Sequence, residues 1–134
     1  MEKTTRAWLA ALDGNAGLGE PAAAEIARRY ELPDTYGEVL QVRNGAEGFV
    51  GEGYIRLYGN GDLADQADAP PLDHFEGLTI FGTNGAGEAF AFDPGGAVVM
   101  IPWIGGPEDA IAQGSLDAFM HRLHDGRLFD RTVA

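Results

Sequence analysis

The chain of 134 residues contains no cysteine, and this absence removes several classes of site. Disulfide bonds, thiol nucleophiles and zinc sites with thiolate ligands all require cysteine. The histidines are His74, His121 and His124, which are too few and too scattered to supply the ligands of a zinc site. We therefore expect no bound metal, no cofactor and no disulfide.

Basic residues are scarce as well. Nine lysines and arginines stand against 21 aspartates and glutamates, which gives a net charge of −12. A domain that binds DNA or RNA needs basic residues to displace counterions from phosphate, so the composition argues against a nucleic-acid partner. Strong acidity keeps a protein soluble through self-repulsion, and it also attracts basic partners. Both interpretations stay open, and the second predicts a basic protein partner.

Long apolar segments are missing too. The longest runs from Ala97 to Ile104 and is interrupted by Pro102, whereas a membrane-spanning helix needs about 20 apolar residues. The first residues, Met1 to Arg6, lack the charged-then-apolar order of a signal peptide. We therefore expect no membrane partner and a cytoplasmic location.

The sequence also lacks a catalytic motif. Its only serine, Ser115, lies in Gly-Ser-Leu rather than in the G-x-S-x-G turn that exposes a nucleophile. Residues 59–64 match G-x-G-x-x-A, but Asp62 would place negative charge where a phosphate should bind. Asp62, Asp65 and Asp68 recur every three residues and do not follow the alternating ligand positions of a calcium loop. We predict no enzymatic activity and no catalytic residue.

Apolar periodicity places helices and strands in separate parts of the chain. Helices are expected over residues 3–12, 21–30, 32–43 and 62–69, and after the cap Ser115. Strands are expected near residues 49–50, 54–58, 78–82, 88–93 and 97–101. Glycine-rich turns join the later strands, which favours an antiparallel meander. The order predicts a single α+β domain over residues 1–134, with a largely antiparallel sheet of five or six strands.

Turn and cap residues give further predictions at the ends of these elements. Glycine and asparagine favour the left-handed conformation that closes helices, so residues 13–15 and Asn44-Gly45 are expected to end the first and third helices. Gly45 should therefore have a positive φ. Asp62 is expected to be the N-cap of the helix over residues 62–69, and Gly126 to follow the last helix.

Several short motifs follow one another in a fixed order over about residues 20–124. They are Leu32-Pro33-x-x-Tyr36, Asn44-Gly45, Gly48-Phe49, Tyr54-Ile55-x-Leu57, Leu78-x-Ile80-Phe81-Gly82, Gly85-x-Gly87-Glu88-x-Phe90-x-Phe92-Asp93, the strand Val98 to Pro102, and Ser115-Leu116-x-x-Phe119. This ordered set resembles the SUKH superfamily, and specifically the branch of the yeast cell-wall assembly regulator. Tyr58 stands near a position where the family often has tryptophan, and the N-terminal helix lies outside the match.

The resemblance implies helices packed on one twisted sheet and no enzymatic activity. Bacterial members of the superfamily are often immunity proteins, which bind and neutralise toxins of neighbouring cells, many of them nucleases. An acidic protein can occupy the basic groove in which a nuclease binds phosphates, so the charge agrees with this function. Two functions stay open: an immunity-type protein that neutralises a toxin, and a regulatory or scaffold module with another partner.

The surface that we predict for partner binding combines an acidic helix with a loop that carries an aromatic side chain. Its residues are Asp62, Asp65, Asp68, Trp103, Glu108 and Asp109. Trp103 follows a strand in a loop rich in glycine and proline, where an aromatic ring can anchor a partner. The competing interpretation is that Trp103 folds back onto the core, as large aromatic side chains commonly do.

Overall fold

The computed structural model describes residues 1–131, which form five α-helices and one seven-stranded sheet. The helices are α1 (Lys3–Ala11), α2 (Glu20–Arg29), α3 (Asp34–Val42), α4 (Asn60–Asp68) and α5 (Leu116–His124). The strands are β1 (Asp13–Ala16), β2 (Arg43–Val50), β3 (Gly53–Leu57), β4 (Thr79–Thr83), β5 (Glu88–Phe92), β6 (Val98–Pro102) and β7 (Ile111–Gly114). Two short 3-10 turns, Asp73–Phe75 and Pro107–Asp109, lie in the connections. No helix among these residues has the length and apolar character needed to cross a bilayer.

The sheet is a meander in which each strand pairs antiparallel with the next along the chain, from β1 to β7. The α+β class and the antiparallel meander are thus confirmed, but the strand number is seven instead of five or six. Both edge strands were missed. Each has only four residues. The strand β1 is exposed throughout, and β7 reads Ile-Ala-Gln-Gly, so neither sequence shows the alternation of apolar and polar residues that identifies a strand.

The third helix passes directly into the sheet, and its predicted end at Asn44-Gly45 is wrong. The helix α3 ends at Val42, and Arg43 is already extended with φ −144°. Gly45 does have a positive φ, 86°, but it lies inside β2 and caps no helix. Residues 43–50 form one long strand because both neighbours, β1 and β3, hydrogen-bond to it.

The helix α1 ends at Ala11, one residue before its predicted end, but residues 13–15 do not cap it, because they form most of β1. Gly14 is required there for a steric reason. A Cβ atom on Gly14 would lie 2.2 Å from the carbonyl oxygen of Gly45, far inside van der Waals contact. The glycine therefore permits the close approach of β1 to β2, and its role is pairing rather than helix capping.

Of the three remaining cap predictions, two are confirmed. The Ser115 hydroxyl accepts a hydrogen bond from the Ala118 amide at 3.1 Å, and Gly126 follows α5 with φ 69°. Asp62 is not an N-cap, because α4 begins earlier and its N-cap is Gly59. The Asp62 carboxylate lies one turn further along and accepts a hydrogen bond from the Gly59 amide at 3.0 Å.

An aromatic cluster fills the core between the sheet and the helices α3 and α5. Phe81 stacks on Phe92 at 4.4 Å between ring centroids, and Phe90 meets Phe119 edge-to-face at 4.8 Å. The Tyr36 ring is fully buried, and its centroid lies 5.4 Å from that of Phe81. Its hydroxyl donates hydrogen bonds to the carbonyl of Tyr58, just after β3, and to that of Phe81 in the middle of β4, so one buried polar atom ties α3 to the sheet.

The other face of the sheet is buried as well. Ala89 and Ala91 alternate with the phenylalanines of β5 and therefore point away from the aromatic cluster, yet both are fully buried. The connection between α4 and β4 runs past this side of the molecule. The ring centroids of its Phe75 and of Trp103 lie 5.5 Å apart. The His74 ring nitrogen Nε2 lies 2.9 Å from the carbonyl oxygen of Pro102. These contacts fix the connection beside the end of β6.

Candidate functional site

Three of the four aspartates predicted for partner binding lie on α4, but they are not equivalent. Asp62 is engaged within the molecule, because its carboxylate binds Arg56 at 2.6 Å in addition to the Gly59 amide. Asp65 and Asp68 are exposed and form no hydrogen bond or ion pair with any residue in the described part of the chain. Asp62 therefore positions the helix, while Asp65 and Asp68 present free carboxylates.

A groove of about 730 Å³ lies between α4, the end of α2 and the connection that leads into β4. Most of its lining is apolar and comes from Tyr30, Leu63, Ala67, Ala69, Pro70, Pro71, Leu72, Phe75, Leu78 and Ile80. Three carboxylates also line it, from Glu31, Asp73 and Glu76, and no lysine, arginine or histidine does. The groove thus combines an apolar surface with purely negative charge.

The proline pair explains why this apolar surface stays open. Pro70-Pro71 ends α4, because proline lacks the amide hydrogen and the freedom of φ that a helix needs. The chain then runs as an irregular segment, and Leu72 keeps 44% of its side chain exposed. An exposed leucine beside two exposed prolines gives a rigid apolar wall that a partner could cover without first ordering it.

The loop after β6 holds the second half of the predicted surface. Trp103 is partly buried against the core and contacts Phe75, so its ring packs as the competing interpretation expects. Ile104 is the apolar side chain that the loop presents to solvent, with 94% of it exposed. Asp109 accepts a hydrogen bond from the Gly106 amide at 3.0 Å and shapes the loop, whereas Glu108 is exposed.

Phe75 links the two halves of the predicted surface. Its ring contacts Trp103 on one side and lines the groove beside Leu63 of α4 on the other. Sequence reasoning found α4 and the loop but missed the groove residues Glu31, Leu72, Asp73 and Glu76. A signal for three of them was present after the proline pair, where Leu72-Asp73 and Phe75-Glu76 each place an apolar residue beside an acidic one.

The groove lies on a molecule whose negative charge is mostly unneutralised. Some arginines are held by internal partners: Arg29 by Glu25, Arg56 by Asp62 and Arg127 by Asp130. Even if all nine basic residues were paired in this way, 12 of the 21 carboxylates would keep their charge without a positive partner. The molecule therefore has a negative field around it, and the free carboxylates of α4 and the groove lie within that field.

Neither metal chemistry nor a known family accounts for this surface. Residues 1–131 contain no group of three or more histidine, aspartate or glutamate side chains arranged to hold a metal ion. No protein-family model and no curated protein matches the chain. The geometry of the groove and the ordered motifs are therefore the basis for a functional proposal.

Proposed function

We propose that this chain is a non-enzymatic binding protein of the immunity type, which neutralises a toxin by covering a basic surface of that toxin. The observation that carries the proposal is the groove between α4 and the Pro70–Ile80 segment. Its apolar walls supply area that a partner can bury, and its carboxylates have no basic neighbour in the lining. Such a surface favours a partner that carries both apolar and basic side chains.

A nuclease is the toxin class that fits this surface best. Enzymes that cleave nucleic acid bind phosphates with lysine and arginine, and a row of free carboxylates can occupy the same positions. Asp65 and Asp68 provide two such carboxylates on the exposed part of α4, the helix whose Leu63 and Ala67 line the groove. The ordered motifs of the SUKH superfamily, whose bacterial members often act as immunity proteins, support the same proposal.

The alternative function is a regulatory or scaffold module that binds a partner without inhibiting it. A second exposed apolar site favours this reading. Phe49 is 72% exposed on β2 and contacts Tyr54 of β3 edge-to-face at 5.4 Å. A scaffold needs more than one contact surface, and the exposed Phe49 provides an apolar contact on the β2–β3 hairpin, which does not line the groove.

Crosslinking in the source cell identifies the partner and locates it on the surface. A photoreactive amino acid replaces Leu72 in the groove, and a second variant carries it in place of Phe49 as the matched control. We expect the Leu72 variant to capture a basic protein that the Phe49 variant does not capture. Capture through Phe49 alone, or of an acidic protein through Leu72, would contradict the proposed site.

Titration of the purified partner then separates the two functions. If the partner is a toxin, one equivalent of this chain abolishes its activity, and co-expression restores growth of cells that produce it. Binding of one equivalent without any loss of the partner's activity would instead support the scaffold. The chain alone should show no activity on the partner's substrate.

A further inference from the structure

We infer that Glu31 is the residue with which the groove binds a lysine or arginine of its partner, and that its unfavourable backbone conformation is retained for this contact. The inference rests on the proposed function, because it names the contact that selects a basic partner. It is carried by the backbone of Glu31, by a comparison with the end of another helix, and by the position of its carboxylate.

The backbone of Glu31 is left-handed, with φ 58°. Among residues 1–131 it is the one residue other than glycine with a positive φ. An L-amino acid pays an energetic cost in this conformation, because its Cβ approaches the following carbonyl oxygen. Such residues persist where the surrounding structure enforces them, and they concentrate at functional sites.

Two helices of this protein end in the same hydrogen-bond pattern. After α2, the Glu31 amide bonds to the Arg28 carbonyl at 3.2 Å, and the Leu32 amide bonds to the Ala27 carbonyl at 2.8 Å. After α5, Gly126 takes the place of Glu31 and its amide bonds to the Leu123 carbonyl at 3.3 Å. In the same motif, the Arg127 amide then bonds to the Arg122 carbonyl at 2.8 Å.

The end of α5 shows the usual form of this motif. Glycine is the usual residue at the left-handed position of the motif, and α5 has it there. The end of α2 departs from that rule with a charged residue. The hydrogen bonds of the motif come from the backbone alone, so they do not require a glutamate at position 31.

Contacts within the described residues do not account for the Glu31 side chain either. The side chain is exposed, and its carboxylate forms no hydrogen bond or ion pair with residues 1–131. What the position does provide is a place in the groove, where Glu31 and Tyr30 form part of the same lining as Leu72 and Glu76. A basic side chain can lay its apolar stem along such a wall while its charged end meets the carboxylate.

Three variants separate a binding role from a structural one. Glu31→Gly removes both the strain and the charge, and Glu31→Gln removes the charge while keeping the strain. Glu52→Gln is the matched control, because Glu52 is an exposed glutamate in the turn between β2 and β3 and does not line the groove. Binding is measured by fluorescence anisotropy with a labelled peptide of alternating lysine and leucine, and stability by thermal unfolding.

We expect Glu31→Gly to raise the midpoint of unfolding by about 3 °C, because glycine relieves the left-handed strain. Glu31→Gln should leave the midpoint near that of the wild type. Both variants should weaken binding of the lysine–leucine peptide about threefold, as expected for an exposed ion pair. Glu52→Gln should change neither quantity beyond the general effect of one charge.

The outcomes distinguish this inference from the proposed function. If the wild type binds the peptide and Glu31→Gln binds it as well as Glu52→Gln does, Glu31 is not the selecting residue, although the groove still binds basic partners. If the wild type binds a matched glutamate–leucine peptide equally well, the groove does not select basic partners and the proposed function fails with the inference. A fall in unfolding midpoint for Glu31→Gly would show that the conformation is not strained.

Discussion

The hydroxyl of Tyr36 lies inside the aromatic core and connects α3 with the residue after β3 and with the middle of β4. It donates to the carbonyls of Tyr58 and Phe81, and the Phe81 carbonyl also accepts the Tyr58 amide at 2.9 Å. Burial raises the pKa of Tyr36 far above its ordinary value, so the hydroxyl stays protonated and able to donate. One phenol thus provides a donor for two buried backbone carbonyls.

Replacing Tyr36 with phenylalanine should therefore lower the free energy of unfolding by about 2 kcal/mol, because the Tyr58 carbonyl is left buried without its donor. Urea denaturation measures the change. Tyr54→Phe is the matched control, since the Tyr54 hydroxyl bonds to Glu47 at the surface and its loss should barely shift the midpoint. Equal effects of the two substitutions would mean that the core does not depend on the buried hydrogen bond.

Gly45 provides a second test at the scale of the residue. Its φ of 86° lies in the region that glycine adopts freely, and a Cβ there would come within 3.2 Å of the Gly59 amide nitrogen. Gly45→Val should destabilise the protein by more than about 1 kcal/mol, since a β-branched side chain adds strain to crowding. The measurement is again urea denaturation, with Gly61→Val as control, because a Cβ at Gly61 meets open space. A near-neutral Gly45→Val would show that the strand adapts its φ.

At the scale of the element, side-chain contacts fasten the first residues and the last described residues to α5. At one end, Asp117 accepts a hydrogen bond from the Glu2 amide at 2.9 Å, and Trp8 of α1 stacks on His124 at 4.6 Å between ring centroids. At the other end, the buried Arg122 donates to Gln113 of β7 at 2.7 Å and to the carbonyl of Asp130. These contacts join distant parts of the sequence and are not visible as local patterns.

We expect the docking of α1 to depend on pH through Asp117. Burial alone would raise the pKa of Asp117, but the Glu2 amide, the Thr5 side chain and the N-terminal ammonium outweigh burial, so the pKa of Asp117 lies below its ordinary value. A carboxylate with a lowered native pKa stabilises the fold above its unfolded pKa of about 3.9, and this contribution is lost as the pH falls through the native pKa.

We therefore expect Asp117→Asn to remove part of the loss of stability that the wild type shows below about pH 4. Asparagine keeps an acceptor for the Glu2 amide but does not titrate. The measurement is the free energy of unfolding at a series of pH values for the wild type, Asp117→Asn and the charge-removal control Glu52→Gln. Parallel curves for the wild type and Asp117→Asn would contradict the coupling.

Features that depend on residues close together in the sequence were predicted correctly more often than features that depend on the tertiary fold. Ser115 and Gly126 were predicted correctly because a cap is decided within one helical turn. The positive φ of Gly45 was predicted correctly, but as part of a helix cap. Gly45 lies instead in β2, which pairs with β1, and β1 has no sequence pattern that identifies it as a strand. The groove was missed since its walls come from α2, α4 and the segment after Pro70, which only the tertiary fold brings together.

At the scale of the whole molecule, the charge of −12 acts on partners before contact, whereas the groove acts after contact. Exposed charges are screened beyond a Debye length of about 8 Å at physiological ionic strength, so salt should weaken the first effect much more than the second. Charge steering changes association rates, and buried apolar contacts mainly change dissociation rates. Rates measured at two salt concentrations therefore separate the acidic field from the groove.

With the partner captured through Leu72, raising the salt concentration from low to physiological should lower the association rate constant about tenfold and leave dissociation nearly unchanged. Asp65→Asn combined with Asp68→Asn should lower the association rate constant about threefold at low salt, because both carboxylates are free and exposed on α4, the helix that forms one wall of the groove. Glu20→Gln combined with Glu52→Gln removes the same charge away from the groove and should have a smaller effect. Association that responds neither to salt nor to the α4 variant would remove the electrostatic argument, because a molecule of this charge then meets its partner through apolar contacts alone.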